Sequence, residues 1–313
     1  MTEGLFIAGE WGSAVMRLYL CDADGQVVAD PVSGGGVVGC GDFEAAFFSA
    51  AGPWLDRHGP LPAVLAGMIG SNIGWRDSGY VEAPAGPADI AARLTTLRVR
   101  NVDIRFTPGL TCRNPFGLPD LIRGEEMQAL GWLASQNDAG QGLICLPGRH
   151  TKWLLSEAGR ITAFTTAMHG EMYDLMLAHG LLGKGVDRDA WSDEAFDAGL
   201  DLVCRDSSLS HGHAAFATRG RLVLGQHNAA EAAAFLSGVT IGCDVRDMRS
   251  ALEARELGGR ACVVLGHDVT AGRYGRALER LGASWKKPET PHLAARGLAA
   301  VLRAATATTV SAG

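Results

Sequence analysis

The chain has 313 residues, 47% of them hydrophobic and 20% charged, with a net charge of −6. That composition supports a large buried core and excludes a disordered chain, and the lack of any Lys/Arg-rich run excludes the electrostatic footprint of a nucleic-acid or anionic-membrane binder. No apolar run approaches the ~18 residues that a membrane span requires, and the first residues carry no basic-then-apolar leader, so the expected compartment is the cytoplasm. The length fits one large domain or two of ordinary size.

In chain order, short apolar runs predict strands at 5–8, 15–21, 26–29, 63–67 and 102–106. A helix is expected over 42–57 with Asp42 as its N-cap, and another over 123–135. The polar, glycine-rich stretch 136–142 is the expected domain boundary, dividing the chain into 1–136 and 142–313. Strands follow at 142–146, 151–156 and 160–165, then helices at 171–179, 193–204 and 231–254. A strand at 261–265 and helices at 270–281 and 291–304 complete an α/β pattern, with the last helix closing the second domain. The seven cysteines (21, 40, 112, 145, 204, 243 and 262) are odd in number and never spaced C-x-x-C, so they read as buried thiols rather than zinc ligands or a disulfide framework.

Both halves open with the same order: strand, glycine turn, strand, acidic-and-glycine turn, strand. Gly12 stands thirteen residues before Gly25, and Gly148 eleven before Gly159. Each second strand carries one basic residue near its start, Arg17 and Lys152. Such internal similarity indicates a duplicated domain. Paired glycine turns let backbone N–H groups approach the phosphates of a nucleotide, which makes Glu10, at the mouth of the first turn, an unexpected charge.

Other segments carry candidate chemistry. The loop 67–75 follows a strand and holds Gly70, Ser71, Asn72 and Trp75, with Arg76 next to it. Ser71 and Asn72 suit hydroxyl groups, an exposed Trp75 suits an apolar sugar face, and Arg76 suits a carboxylate. At the start of the 123–135 helix, Asp120 and Glu125 are candidate general bases, with Arg123 able to hold an anionic substrate; carboxylates there also complement the helix dipole. The helix that follows the third strand of the second half offers free N–H groups around Gly170 and Glu171, beside His169. His211-Gly212-His213 has no further ligands nearby to complete a metal site. Gly238 and Gly242 are spaced for close helix packing.

The segments AGMIGSNIGW (66–75), TPGL (107–110), RGEEMQALG (123–131), LPGRHTKW (146–153) and FLSGVTIG (235–242) resemble those of 2-dehydro-3-deoxygalactonokinases. The resemblance covers nearly the whole chain. It implies the actin-like, hexokinase-like ATPase fold, in which two duplicated ribonuclease-H-like domains hold ATP and a sugar acid in the cleft between them. It also implies transfer of the ATP γ-phosphate, with Mg²⁺, to the 6-hydroxyl of 2-dehydro-3-deoxygalactonate. By resemblance, domain 1–136 takes the sugar acid and 142–313 the nucleotide; a homodimer is compatible with it. Gly12, Ser13 and Arg17 fall on the first phosphate motif, Gly148, His150 and Lys152 on the second. Gly170 and Glu171 follow the strand that closes it, and Gly266 falls on the adenosine turn. The loop 67–75 would face the sugar acid.

Departures from the family pattern collect on the nucleotide side. Glu10 stands where aspartate is usual and Ala14 where threonine is; Arg149 and His169 each replace a threonine, and His267 a small residue. Glu10 would hold the metal through water, and Arg149 would either bind phosphate or fill its space. The expected activity is therefore a sugar-acid kinase. Its rivals are a catalytically weakened member that senses a sugar acid, and a kinase for a related sugar acid.

Overall fold

The computed structural model describes residues 4–136 and 140–311. The expected boundary at 136–142 includes 137–139, which lie outside the described residues. The first elements are β1 (Phe6–Trp11), β2 (Val15–Cys21), β3 (Val32–Gly35), α1 (Phe43–His58), β4 (Ala63–Ala66), β5 (Tyr80–Glu82) and α2 (Pro87–Ala91). They are followed by β6 (Thr95–Val99), β7 (Val102–Phe106), β8 (Gly109–Arg113), β9 (Pro119–Ile122) and α3 (Glu125–Ala134). The second run comprises β10 (Gly142–Leu146), β11 (Thr151–Glu157), β12 (Arg160–Ala167), α4 (His169–Ala178), α5 (Asp193–Arg205) and α6 (His211–Val223). It ends with α7 (Ala229–Glu253), β13 (Cys262–Val264), α8 (Asp268–Arg280), β14 (Trp285–Lys286) and α9 (Leu293–Ser311).

The duplication lies in the strand order. One sheet runs β3-β2-β1-β4-β7-β6 and another β12-β11-β10-β13-β14. In both, three consecutive strands step inward from one edge, and the first of them then pairs in parallel with a strand that arrives after a helix. A third sheet, β5-β8-β9, is an addition to the first half; its strands are too short to stand out as periodic runs.

The apolar run at 26–29 is not a strand. Asp22 Oδ1 accepts from Asp24 N and Gln26 N at 3.0 and 2.9 Å, closing a side-chain turn. The segment keeps a single antiparallel bridge, Cys21 with Val27; the continuous ladder starts after Pro31, which has no N–H to offer it, where β3 pairs Val15 with Gly35 and Leu18 with Val32. Asp42 caps α1 as expected, accepting from Ala45 N at 2.9 Å. Helix α7 starts earlier than expected because Asn228 and Glu231 form a capping box, with Asn228 Oδ1 accepting from Glu231 N at 3.0 Å and Glu231 Oε2 from Asn228 N at 2.8 Å.

The chain divides into two compact units: Met1–Gln141 with Leu155–Phe164 and Glu289–Gly313, and Gly142–Leu154 with Thr165–Pro288. Helix α9, which chain order put with the second half, packs on α3 in the first unit. The reason is steric. A side chain at Gly131 would overlap the carbonyl of Leu293, and one at Gly297 the carbonyl of Met127, so the two helices meet backbone to backbone.

The first unit's core sets Ile7, Trp11, Met16 and Leu18 against Phe47, Leu65 and Phe106. In the second unit, α5 and α7 pack through glycines: Gly238 leaves room for the Phe196 carbonyl and Gly242 for Val203. The seven cysteines are free thiols, with Cys40 and Cys204 half-buried and the other five buried.

Candidate active site

Glu10 occupies the penultimate position of β1, directly across from Arg17 on β2. The charge that looked misplaced in the sequence is held from two sides. Tyr19 Oη donates to Glu10 Oε2 and Gln128 Nε2, from α3, to Glu10 Oε1, both at 3.0 Å. Burial, and Glu10 beside it, push the Tyr19 hydroxyl pKa up, so it stays a donor. Arg17 is exposed, and its guanidinium makes no hydrogen bond or ion pair among the described residues.

The turn after β1 is fixed by its own backbone. Gly12 N donates to Val15 O at 2.9 Å, and the Ser13 and Ala14 carbonyls accept from Val38 N and Gly36 N, both at 3.0 Å. Among the described residues no acceptor meets the N–H groups of Ser13 and Ala14, which leaves both for an anion.

The 67–75 loop and its surroundings differ from expectation in three places. Trp75 is not an exposed platform: its ring is half-buried, 6.0 Å from Phe47 and 5.8 Å from Phe106. Ser71 is buried, and its hydroxyl donates to Met68 O at 2.7 Å, closing the short helical turn Met68–Gly70. Arg123 does not present its guanidinium to an anion. It donates to Gly70 O at 2.5 Å and Gly79 O at 2.8 Å, and stacks 4.4 Å over Tyr80. It therefore ties residue 70, inside the loop, to residue 79, just beyond it. Asn72 and Arg76 remain exposed there. The Ser71 bond is local, three residues back, whereas the roles of Trp75 and Arg123 have no local sequence signal because their partners lie tens of residues away.

The two candidate bases separate clearly. Asp120 lies on β9, and its carboxylate accepts from Leu121 N at 2.8 Å and Asn114 Nδ2 at 3.3 Å. Glu125 is the first residue of α3, half-buried, and its carboxylate has no hydrogen bond among the described residues. It shares a helix face with Gln128, three residues on, which holds Glu10.

Gly124, at φ +112, makes the turn into α3, and any side chain there would press on Gly67. Gly67 in turn packs on the Trp11 carbonyl, so β1, β4 and α3 converge at one point.

Glu126 is fully buried, with Oε2 accepting from Gly124 N at 2.6 Å and Oε1 unpartnered. Burial first, and Glu125 second, push its pKa from 4.5 to about 8. The sign follows: the folded chain holds this proton where the unfolded chain has lost it. Its contribution is full below the ordinary carboxylate pKa and is lost as pH rises toward about 8, by at most about 1.4 kcal/mol per pH unit. Glu126→Gln, which keeps an acceptor for Gly124, is expected to flatten the fall in melting temperature between about pH 5 and 8. An unchanged pH slope would count against a protonated Glu126.

In the second unit, the turn 147–150 lies at one wall of a pocket of about 310 Å³, whose other walls include His169, Gly170, Thr240, Arg273 and Tyr274. A Cβ at Gly170 would overlap the Gly148 carbonyl, so helix α4 meets the turn backbone to backbone, and Glu171 N donates to Arg149 O at 2.9 Å. Arg149 pairs with Glu171 at 3.4 Å and Asp174 at 3.5 Å. His150 Nε2 lies 2.6 Å from Glu171 Oε2, and this hydrogen bond holds the Glu171 pKa below its usual value. Lys152, unlike its counterpart Arg17, is buried, and its Nζ donates to Thr166 Oγ1 at 2.9 Å. Gly266, at φ +138, ends the segment after β13 beside Pro147, and the exposed His267 stands at the N-cap position of α8 without a side-chain capping bond.

A family model described as 2-keto-3-deoxy-galactonokinase matches residues 10–301. The chain belongs to that family. It is 33% identical to a probable 2-dehydro-3-deoxygalactonokinase of Rhizobium meliloti, over 97% of this chain and 98% of that one. It is 32% identical to the 2-dehydro-3-deoxygalactonokinase of Escherichia coli, over 88% of this chain and 90% of that one. A crystal structure of a Sinorhizobium meliloti protein, provisionally assigned as a 2-dehydro-3-deoxygalactonokinase, superposes with a TM-score of 0.81 at 29% identity, covering 97% of this chain and 99% of the other. Within the 2-keto-3-deoxy-galactonokinase family, then, three of the residues expected to depart from the pattern have identifiable neighbours in this chain. Glu10 is gripped by Tyr19 and Gln128, Arg149 by Glu171 and Asp174, and His169 packs on His211 at 5.4 Å.

Proposed function

We propose that the protein is a sugar-acid kinase that transfers the γ-phosphate of ATP to the 6-hydroxyl of 2-dehydro-3-deoxygalactonate. The observation that carries this reading is the family match over 10–301, joined to a carboxylate with uncommitted oxygens, Glu125, at the head of α3. Glu125 takes the proton of the acceptor hydroxyl as that oxygen attacks phosphorus. The 67–76 loop, locked by Arg123, holds the sugar acid; Asn72 offers hydrogen bonds, and Arg76 a bidentate partner for the carboxylate. In the first unit the Ser13 and Ala14 N–H groups offer a cradle for one phosphate, with Arg17 adding positive charge; in the second unit, taken by itself, the 147–150 turn offers another.

Glu10 fits a Mg²⁺ held through water, because each of its oxygens accepts a single protein hydrogen bond and keeps capacity for another. Bound there with ATP, the ion would neutralise phosphate charge. Catalysis then rests on positioning rather than covalent chemistry.

The test is ADP release by the purified protein with Mg-ATP, with and without 2-dehydro-3-deoxygalactonate. Sugar-dependent ADP formation is the expected result. Calorimetric binding of the sugar acid without ADP formation would overturn the kinase in favour of a sensor, and turnover of another sugar acid alone would redirect the substrate.

A further inference from the structure

A buried polar chain runs beneath the second phosphate turn. Asp244, on α7, is 2% exposed. Its Oδ1 accepts from Trp153 Nε1 at 2.9 Å and its Oδ2 from Tyr274 Oη at 2.7 Å. Tyr274, on α8, has then used its one proton, so its oxygen accepts from Thr151 Oγ1, 2.7 Å away. Thr151, fully buried on β11, also lies 3.4 Å from the Gly148 carbonyl. On its far side that carbonyl is packed by Gly170.

Three features set this chain apart from an ordinary buried network. It links three separate elements, β11, α7 and α8, to a single turn. It ends at Thr151, whose one hydroxyl proton goes to Tyr274, so it meets the turn through the β11 backbone that follows His150 directly and not through a hydrogen bond to Gly148 O. And it contains an ionisable group that does not itself line the pocket. A buried carboxylate is costly unless its oxygens are satisfied, and here Oδ1 is satisfied by Trp153 and Oδ2 by Tyr274, with the pocket-lining His169 Nδ1 standing 3.8 Å from Oδ1. Burial pushes the Asp244 and Tyr274 pKa values up.

We infer that Asp244, acting through Tyr274 and Thr151, is a positioning residue that holds the 147–150 turn in its nucleotide-binding shape. The inference rests on the reading that this turn binds ATP phosphates. Asp244 touches no phosphate. It sets where the turn's backbone stands, and so acts on nucleotide affinity and not on sugar-acid affinity.

The experiment uses the full-length protein, the variants Tyr274→Phe, Thr151→Val and the double variant, and a non-hydrolysable ATP analogue with Mg²⁺ measured by calorimetry, beside steady-state KM values for both substrates. Each single variant is expected to weaken analogue binding about tenfold, near the upper end for one hydrogen bond, and to raise the KM for ATP by a similar factor while the KM for the sugar acid stays put. The double variant is expected to lose no more than either single one, because both break the same chain. Thr151→Ser, which restores the hydroxyl, is expected to restore binding.

If Tyr274→Phe does not fold, Thr151→Val, nearly isosteric, carries the test. Folded variants with wild-type analogue affinity, or losses that add, would overturn the inference while leaving the kinase reading intact. Failure of the wild-type protein to bind the analogue would instead remove the reading on which the inference stands.

Discussion

Glu125→Gln is expected to lower sugar-dependent ADP formation by on the order of 10²–10⁴-fold, the range for losing a general base, while sugar-acid binding measured by calorimetry is retained. The amide keeps the shape and the place at the head of α3 but cannot take a proton. Asp120→Asn is the companion measurement. The Asp120 carboxylate already accepts from Leu121 N and Asn114 Nδ2, so its loss is expected to show in thermal stability and much less in rate. A collapse in rate for Asp120→Asn with Glu125→Gln active would reverse the assignment.

The second large effect concerns Glu10. From the sequence alone, the extra methylene looks like a handicap that aspartate would relieve. The structure predicts the opposite. The glutamate reaches exactly as far as Tyr19 Oη and Gln128 Nε2, each at 3.0 Å, and an aspartate on the same backbone falls short of both. Glu10→Asp therefore leaves a shortened, loosely held carboxylate, and a displacement of about 1 Å in a positioning group is worth on the order of 100-fold in rate. Turnover at saturating Mg-ATP and sugar acid is the measurement. Tyr19→Phe, which removes one of the two donors, is expected to fall between wild type and Glu10→Asp. A faster Glu10→Asp enzyme would show that the two donors hold the carboxylate in the wrong place.

Features set by neighbouring residues were legible before the structure. Strands β2, β7 and β10 have the expected bounds, and Asp42 caps α1, because alternation and capping are written within a few residues. The repeated hairpin was likewise visible as two matched orders of turn and strand. The Asn228–Glu231 capping box was equally local, and reading it would have started α7 correctly.

What escaped was decided by distant partners. Trp75 looks like a loop tryptophan until Phe47 and Phe106 close on it. Arg123 looks like an anion binder until the carbonyls of residues 70 and 79 take its donors. Asp244, Tyr274 and Thr151 are spread over more than a hundred positions, and no motif announces that they share a hydrogen-bonded line.

The meeting of α3 with α9 has a consequence for how the protein is made. Gly131 and Gly297 allow that contact, yet α9 is synthesised after every other described element. A nascent chain released up to the polar break would have α3 with its glycine face uncovered. Domains usually fold in order as they emerge from the ribosome; here the unit that begins first is finished last. Truncation after residue 288 would therefore strip the cover from the helix that carries Glu125, although Glu125 itself lies far upstream.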